Sequence, residues 1–312
     1  MVKTVRVSAP GKIILSGEHA VVYGKPAILA AVNRRLFVSI KKSTKNEIIA
    51  SESPELVEFA RDFVLRALGK QKEKLKIKIF SEIPVGSGMG SSAALAVAMT
   101  AALFKFFNQP FNKEKINEIA YEIEKKQHGN PSGGDNTTST YGGFLWYRKE
   151  AEFLKLFKPL DFDFEKLPRF VLINTGRPLE TTGEMVTKVR KLYEKKPRQT
   201  EEIFQKIEKA TKKLLVALRE KNDGEIGEVI RENEQLLEKL GVVGNSAKRI
   251  IKEIEGVGGV AKVCGAGGVK EGSGIILGFH PRKNSLLEIA KERNLSAFEV
   301  KLGEEGVKIE KN

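Results

Sequence analysis

One short segment, Pro84-Val85-Gly86-Ser87-Gly88-Met89-Gly90-Ser91-Ser92-Ala93-Ala94, restricts what this chain can fold into more than any other. A strand leads into it: Leu75, Ile77 and Ile79 alternate with Lys74, Lys76 and Lys78, the period of a half-buried strand. An apolar helix, Ser91 to Phe107, leads out of it. Gly86, Gly88 and Gly90 let backbone N–H groups approach an anion with no Cβ in the way. The helix N-terminus at Ser91 adds unpaired donors and a partial positive charge. Ser92 places a hydroxyl where it could ligate a Mg²⁺ ion on phosphates. The segment is not a Walker A loop, because Ser91 follows Gly90 where Lys would stand. Nor is it a dinucleotide fingerprint, whose third glycine would occupy position 91. The plain alternative is a glycine turn that only joins strand to helix.

Three further segments carry chemistry-bearing residues. In Ala9-Pro10-Gly11-Lys12, the lysine opens an apolar strand, so its ammonium can be held near a pocket, where it could steady an anionic base or polarise a hydroxyl. Glu18 and His19 follow a tight turn at Gly17, whose plain reading is a surface loop with a satisfied histidine. Glu124 closes a helix, and Asp135 ends the turn-rich run Gly129 to Asp135 beside a string of hydroxyl residues. A carboxylate there could take a proton from an alcohol, or merely cap the next turn. The fourth segment, Lys262 to Gly274, sets a glycine cluster between two strands, to close over a phosphate or to form a loose hairpin. Cys264 within it reads as a small buried residue.

The rest of the chain sets the frame. Its 312 residues suit two domains or one large α/β unit. The first half alternates strands (Val5 and Val7, Lys12 to Leu15, Leu36 to Lys41) with helices. One helix starts at Ser53-Pro54, with Ser53 as cap and Leu56, Phe59, Phe63 and Ala67 as its apolar face. Another runs from Lys113 to Lys126. A strand spans Gly143 to Tyr147. The second half has a strand at Arg169 to Asn174, helices from Thr182, Thr200 and Asp223, an amphipathic helix at Ala247 to Ile254, and strands near Val260, Gly274 and Phe298. The boundary falls near Asp163 to Pro168, giving segments 1–165 and 166–312. The net charge of +14 is spread among acids as a solvated Lys/Glu surface; it also suits an enzyme with polyanionic ligands. No nucleic-acid signature and no membrane-length apolar run occurs, so neither partner is expected. The single cysteine excludes an intramolecular disulfide and, with no signal peptide, fits a cytoplasmic setting.

Taken together, these segments resemble the GHMP kinases. Pro10-Gly11-Lys12, Pro84 to Ala94 and Lys262 to Gly268 are similar to that family's three motifs, in order. Gly17-Glu18-His19-Ala20-Val21-Val22-Tyr23-Gly24, His128 to Gly133 with Asp135-Asn136, and Asn174-Thr175 with Thr181 resemble its mevalonate kinase branch. The resemblance implies an α+β fold: a ribosomal-S5-like N-terminal domain and a ferredoxin-like C-terminal domain, with ATP and substrate in the cleft between them. It implies transfer of the γ-phosphate of ATP to the C5 hydroxyl of mevalonate, with Mg²⁺. Asp135 then matches the catalytic aspartate and Lys12 its lysine partner. Ser92 and Glu124 match Mg²⁺ ligands. Pro84, Gly86, Ser87, Gly88, Met89, Gly90, Ser91 and Ser92 match the phosphate loop, and Glu18, His19 and Thr181 the substrate side. Expected partners are mevalonate and ATP, with a homodimer the one protein assembly considered. The chain departs from the family pattern at Cys264, where a Thr or Ser is usual, and at Val269-Lys270-Glu271, which interrupt the glycine run.

Overall fold

A computed structural model describes residues 4–50, 53–84, 86–128, 131–161, 167–280 and 284–311. Its first sheet grows around two long strands, β1 (Thr4–Ser16) and β2 (Ala27–Lys42). Both are rich in β-branched and small apolar residues that fit a pleated, buried surface. β2 changes partner along its length. Leu36 to Lys42 pair with β4 (Leu75–Ser81), and Ala27 to Ala30 pair with β5 (Phe144–Lys149). β3 (Glu47–Ile49) runs parallel to β4, and β6 (Lys155–Leu160) flanks β5. The β1–β2 ladder slips in register between Pro10 and Lys12. Such an irregularity bends a strand and re-aims a side chain, and here the re-aimed residue is Lys12.

Four helices cover one face: α1 (Pro54–Ala67), α2 (Ser91–Phe106), α3 (Lys113–His128) and α4 (Gly134–Tyr141). In α2 every residue from Ala93 to Phe104 is buried. A helix apolar all round must be covered all round; α2 packs against β1, β2, α1, α3 and α4. Its alanines let these neighbours approach closely, and its N-terminus points at the cleft.

The second sheet has the order β10-β7-β9-β8, antiparallel throughout, from β7 (Phe170–Asn174), β8 (Val260–Val263), β9 (Ile275–Phe279) and β10 (Ser296–Val300). Between β7 and β8 come α5 (Thr182–Lys195), α6 (Pro197–Glu220), α7 (Asp223–Lys239) and α8 (Asn245–Gly256); α9 (Asn284–Glu292) joins β9 to β10. Strand, helices, strand, strand, helix, strand is the ferredoxin-like succession that the resemblance implied. One hydrophobic core runs from the first sheet and α2 through Leu214 and Ile226 to Leu277 of the second sheet.

Several expectations are corrected. Val5 and Lys12 belong to one strand rather than two. Ser53 precedes α1 but has φ 50° and makes no capping hydrogen bond. The fully buried face of α1 is Val57, Ala60, Val64 and Leu65; Leu56, Phe59 and Phe63 lie half-buried beside it and Ala67 is exposed. Gly134 and Asp135, expected as the end of a loop, instead open α4, which places Asp135 in its first turn. β6, α9 and a last strand, β11 (Lys308–Ile309), join the expected elements. β11 pairs with β1, and Leu302 bridges Val32. Residues 302, 308 and 309 of the second segment thus pair with strands of the first sheet. Most of the Asp163 to Pro168 boundary, and Gly129 and Asn130 of the glycine run, lie outside the described residues.

Candidate active site

The irregularity in β1 delivers Lys12 beneath the glycine loop. The side chain is 3% exposed, and its Nζ lies 3.2 Å from Asp135 Oδ2. The same ammonium donates to the Gly88 carbonyl at 3.0 Å, and the Lys12 amide donates to the Met89 carbonyl at 2.9 Å. Loop and strand are thus laced together by one residue. Gly90, at φ 73°, stands where a Cβ would come within 3.1 Å of Lys12 Cγ and 3.6 Å of Asp135 Oδ2. Only glycine both adopts this conformation easily and leaves that space. Asp135 enters from the opposite side, held by α4, with about a third of its side chain exposed to the cleft.

Ser92, in the first turn of α2, donates to Glu124 Oε2 at 3.2 Å. Glu124 is buried, and its carboxyl is pushed up to about 8, first by desolvation and then by the charge of Asp135; Ser92 and Lys12 pull the other way. A dication would draw such a group back to carboxylate. Among the described residues no cluster of three or more His, Cys, Asp or Glu could hold a metal unaided. A hydroxyl with one carboxylate suits Mg²⁺, which keeps waters and substrate phosphates as its other ligands. These residues therefore fit the ion.

A cavity of about 850 Å³ opens over this group. Pro84, Gly86, Ser87, Gly88, Gly90, Ser91 and Ser92 line it. Met89 does not line it: it is 1% exposed and its side chain belongs to the core, so any part it plays in the loop is through its backbone. Beyond the loop lies an apolar recess of Leu36, Leu56, Val57, Ile79, Ile83 and Leu95. At the other end stand His19, Val21, Val22 and Thr181. The His19 Nε2–H donates to the Ala266 carbonyl at 3.1 Å, and burial pulls the ring down to about 4, only partly offset by that bond. The imidazole is neutral at pH 7, with Nδ1 as an acceptor.

Two residues expected on the substrate side have structural partners of their own. Glu18 is 1% exposed and does not line the cavity. Its carboxylate pairs with buried Lys262 and accepts from Asn233 Nδ2 at 3.1 Å. It is a strut beneath His19, because an unpaired carboxylate at that depth would be far more costly than a paired one. Thr181 lines the cavity, but its Oγ1 caps α5, accepting from the Glu184 amide at 3.2 Å and donating to Glu184 Oε2 at 2.9 Å. Cys264 is buried, as expected, and desolvation raises its thiol to about 11, so it is inert at neutral pH. The interrupted glycine cluster is not a loose hairpin. Its Ile275 amide donates to the Ser87 carbonyl at 3.0 Å, tying the second sheet to the phosphate loop.

The family model for the GHMP kinases N terminal domain matches residues 55–143. Mevalonate kinase from Archaeoglobus fulgidus is 37% identical over 294 residues, covering 91% of this chain and 97% of that protein. The chain belongs to the mevalonate kinase family. Among solved structures, the Methanococcus jannaschii mevalonate kinase matches with a TM-score of 0.79 and 27% identity, covering 96% of this chain and 98% of that one. The L. major mevalonate kinase, solved with R-mevalonate, shares the fold at a TM-score of 0.84 and 24% identity, covering 97% of each chain. The α+β GHMP kinase fold is thus established for this member of the mevalonate kinase family. Two cavity-lining cations escaped the sequence reading: Arg177, whose Cγ, Cδ and Nε crowd Gly86, and Arg190 on α5. Both sit in the second half among ordinary surface charges, and nothing in their local sequence marks them.

Proposed function

We propose that the chain transfers the γ-phosphate of ATP to the C5 hydroxyl of mevalonate, giving 5-phosphomevalonate and ADP. The observation that carries this reading is the Lys12–Asp135 pair, 3.2 Å apart beneath the first turn of α2. Phosphoryl transfer needs positioning and charge neutralisation more than covalent chemistry by the protein. Loop amides and the N-terminus of α2 hold the phosphates. Ser92 and Glu124 would hold Mg²⁺, which supplies the positive charge that the polyphosphate needs. The apolar recess suits a flat base, and the His19 end suits the acceptor. The acceptor hydroxyl bonds to phosphorus, the bond to the ADP oxygen breaks, and the hydroxyl proton passes to an Asp135 carboxylate oxygen. Lys12, 3.2 Å from Asp135, places its positive charge where it steadies the developing alkoxide. The single buried thiol supports a reducing, cytoplasmic setting; no helix among the described residues is long and apolar enough to cross a membrane.

An ADP-release assay with mevalonate, mevalonate 5-phosphate, homoserine and galactose side by side tests the reading. Mevalonate should be the preferred acceptor, and phosphorus NMR should place the new ester at C5. A C3 ester, or good turnover on another alcohol with none on mevalonate, would overturn it.

A further inference from the structure

A carboxylate that accepts a proton in the transition state must be held still. Asp135 is the second residue of α4, and α4 starts from the backbone of Pro131, Ser132 and Gly133. That backbone rests on β5. Tyr147, fully buried, donates its hydroxyl to the Ser132 carbonyl at 2.6 Å. Lys149 lies two residues on, on the same face of the strand. Its Nζ donates to the Pro131 carbonyl at 3.3 Å and pairs with Glu152 Oε2 at 2.9 Å. Glu152 in turn accepts from Tyr121 Oη at 2.6 Å, and Lys155 stacks its ammonium 3.6 Å from the centre of the Tyr121 ring. Ser132 completes the turn by accepting from the Gly134 amide at 3.2 Å.

The fit is close. A Cβ on Gly133 would lie 2.8 Å from Tyr147 Oη, and one on Gly134 would lie 2.8 Å from Leu29 Cδ1. Gly133 also has φ 85°, so this is a seat that glycine alone occupies without strain. None of Tyr147, Lys149, Tyr121 or Glu152 lines the cavity. They act on the acid–base pair from behind, across the short distance from residue 132 to residue 135.

We propose that Tyr147 is a positioning residue for Asp135: its hydroxyl, backed by Lys149, fixes the 131–133 turn and hence the place of the carboxylate against Lys12. This rests on the reading of Asp135 as proton acceptor given above. A buried hydroxyl bonded to a carbonyl is a rigid distance constraint, and its removal leaves the Ser132 carbonyl unmet. Displacements well under 1 Å at a reacting group are enough to slow a positioned step, and a full 1 Å is worth about a hundredfold.

The test is Tyr147→Phe, which keeps the ring and its packing. On the folded variant, kcat should fall about tenfold while KM for MgATP stays within about twofold, because Tyr147 does not line the cavity that holds the phosphate loop. Lys149→Met should show the same pattern more weakly, and it carries the test if Tyr147→Phe does not fold. The deciding comparison repeats each change in an Asp135→Asn enzyme. A residue acting through Asp135 should cost nothing further there. Unchanged kcat in the folded single variants, or the same fold-loss in both backgrounds, would overturn the inference while leaving Asp135 in place. Near-normal turnover of Asp135→Asn alone would instead remove the role of Asp135 on which the inference stands.

Discussion

An aliphatic alcohol is a very weak acid, so the carboxylate that takes its proton needs help, and Lys12 at 3.2 Å is the nearest source. Asp135→Asn keeps the size and removes the basicity. Turnover should fall by a factor of roughly a hundred or more with ATP binding nearly intact. Lys12→Met should also act mainly on turnover, since the charge it meets develops in the transition state. If both serve one proton transfer, the double variant should be little worse than Asp135→Asn; additive barriers in single-turnover kinetics would argue for separate roles. Glu124 gives a second prediction. Its carboxyl sits near 4.5 when unfolded and about 8 when folded. The folded state therefore favours the protonated form; that contribution to stability is complete below the lower value and lost as pH rises through the upper one. Without metal and nucleotide, melting temperature should fall between about pH 5 and about pH 9 relative to Glu124→Gln, and parallel curves would contradict the burial argument. Activity of Glu124→Gln should need much more Mg²⁺ than the parent. Lys12, Asp135, Ser92 and Glu124, which the fold brings together, were singled out by the segments they sit in, while the roles expected of them came from the resemblance to the GHMP kinases rather than from spacing. Glu18 was misread because its partner, Lys262, is supplied by a strand far along the chain, and no local pattern announces a buried ion pair.

At the scale of elements, the sequence reads well where hydrophobic period and turn chemistry agree. β4, α2, α3 and α8 fall within a residue or two of expectation. α4 was missed because its residues, Gly-Asp-Asn-Thr-Thr-Ser-Thr-Tyr, are weak helix formers. Its helix exists because α2, α3, β1 and β2 enclose it, and the buried Thr137 and Thr138 hydroxyls are satisfied by donating back to the Gly133 and Gly134 carbonyls, at 2.7 Å and 2.8 Å. Tertiary packing overrides propensity there. α5 offers a test in which two readings of one residue separate. Thr181 and Glu184 form a complete capping box. Thr181→Ala should cost the first turn of α5 about 1 kcal/mol, visible as faster amide exchange, with little change in KM for mevalonate. A large rise in that KM with unaltered exchange would return Thr181 to direct substrate contact.

For the whole molecule, Arg35 links the two ends of the chain. It is 7% exposed, and it donates to Ser8 Oγ at 2.7 Å, the Glu305 carbonyl at 2.7 Å and the Gly306 carbonyl at 2.8 Å. Removing residues 304–312 would strand this buried charge, at a cost of roughly 3 kcal/mol or more. The truncated chain should melt well below the parent, and Arg35→Met should recover part of the loss. Equal melting curves for parent and truncated chain would show that the tail is dispensable. None of this was readable beforehand, since β11 is a two-residue strand in a Lys- and Glu-rich stretch whose partner lies at the other end of the sequence. The same pairing bears on how the protein is made. Synthesis is vectorial, and β1 leaves the ribosome long before residues 308 and 309 exist. Until they arrive, the strand that bears Lys12 keeps one edge open, an invitation to pair with another nascent chain. A holdase that shields that edge should raise the yield of active protein without changing the activity of each folded molecule.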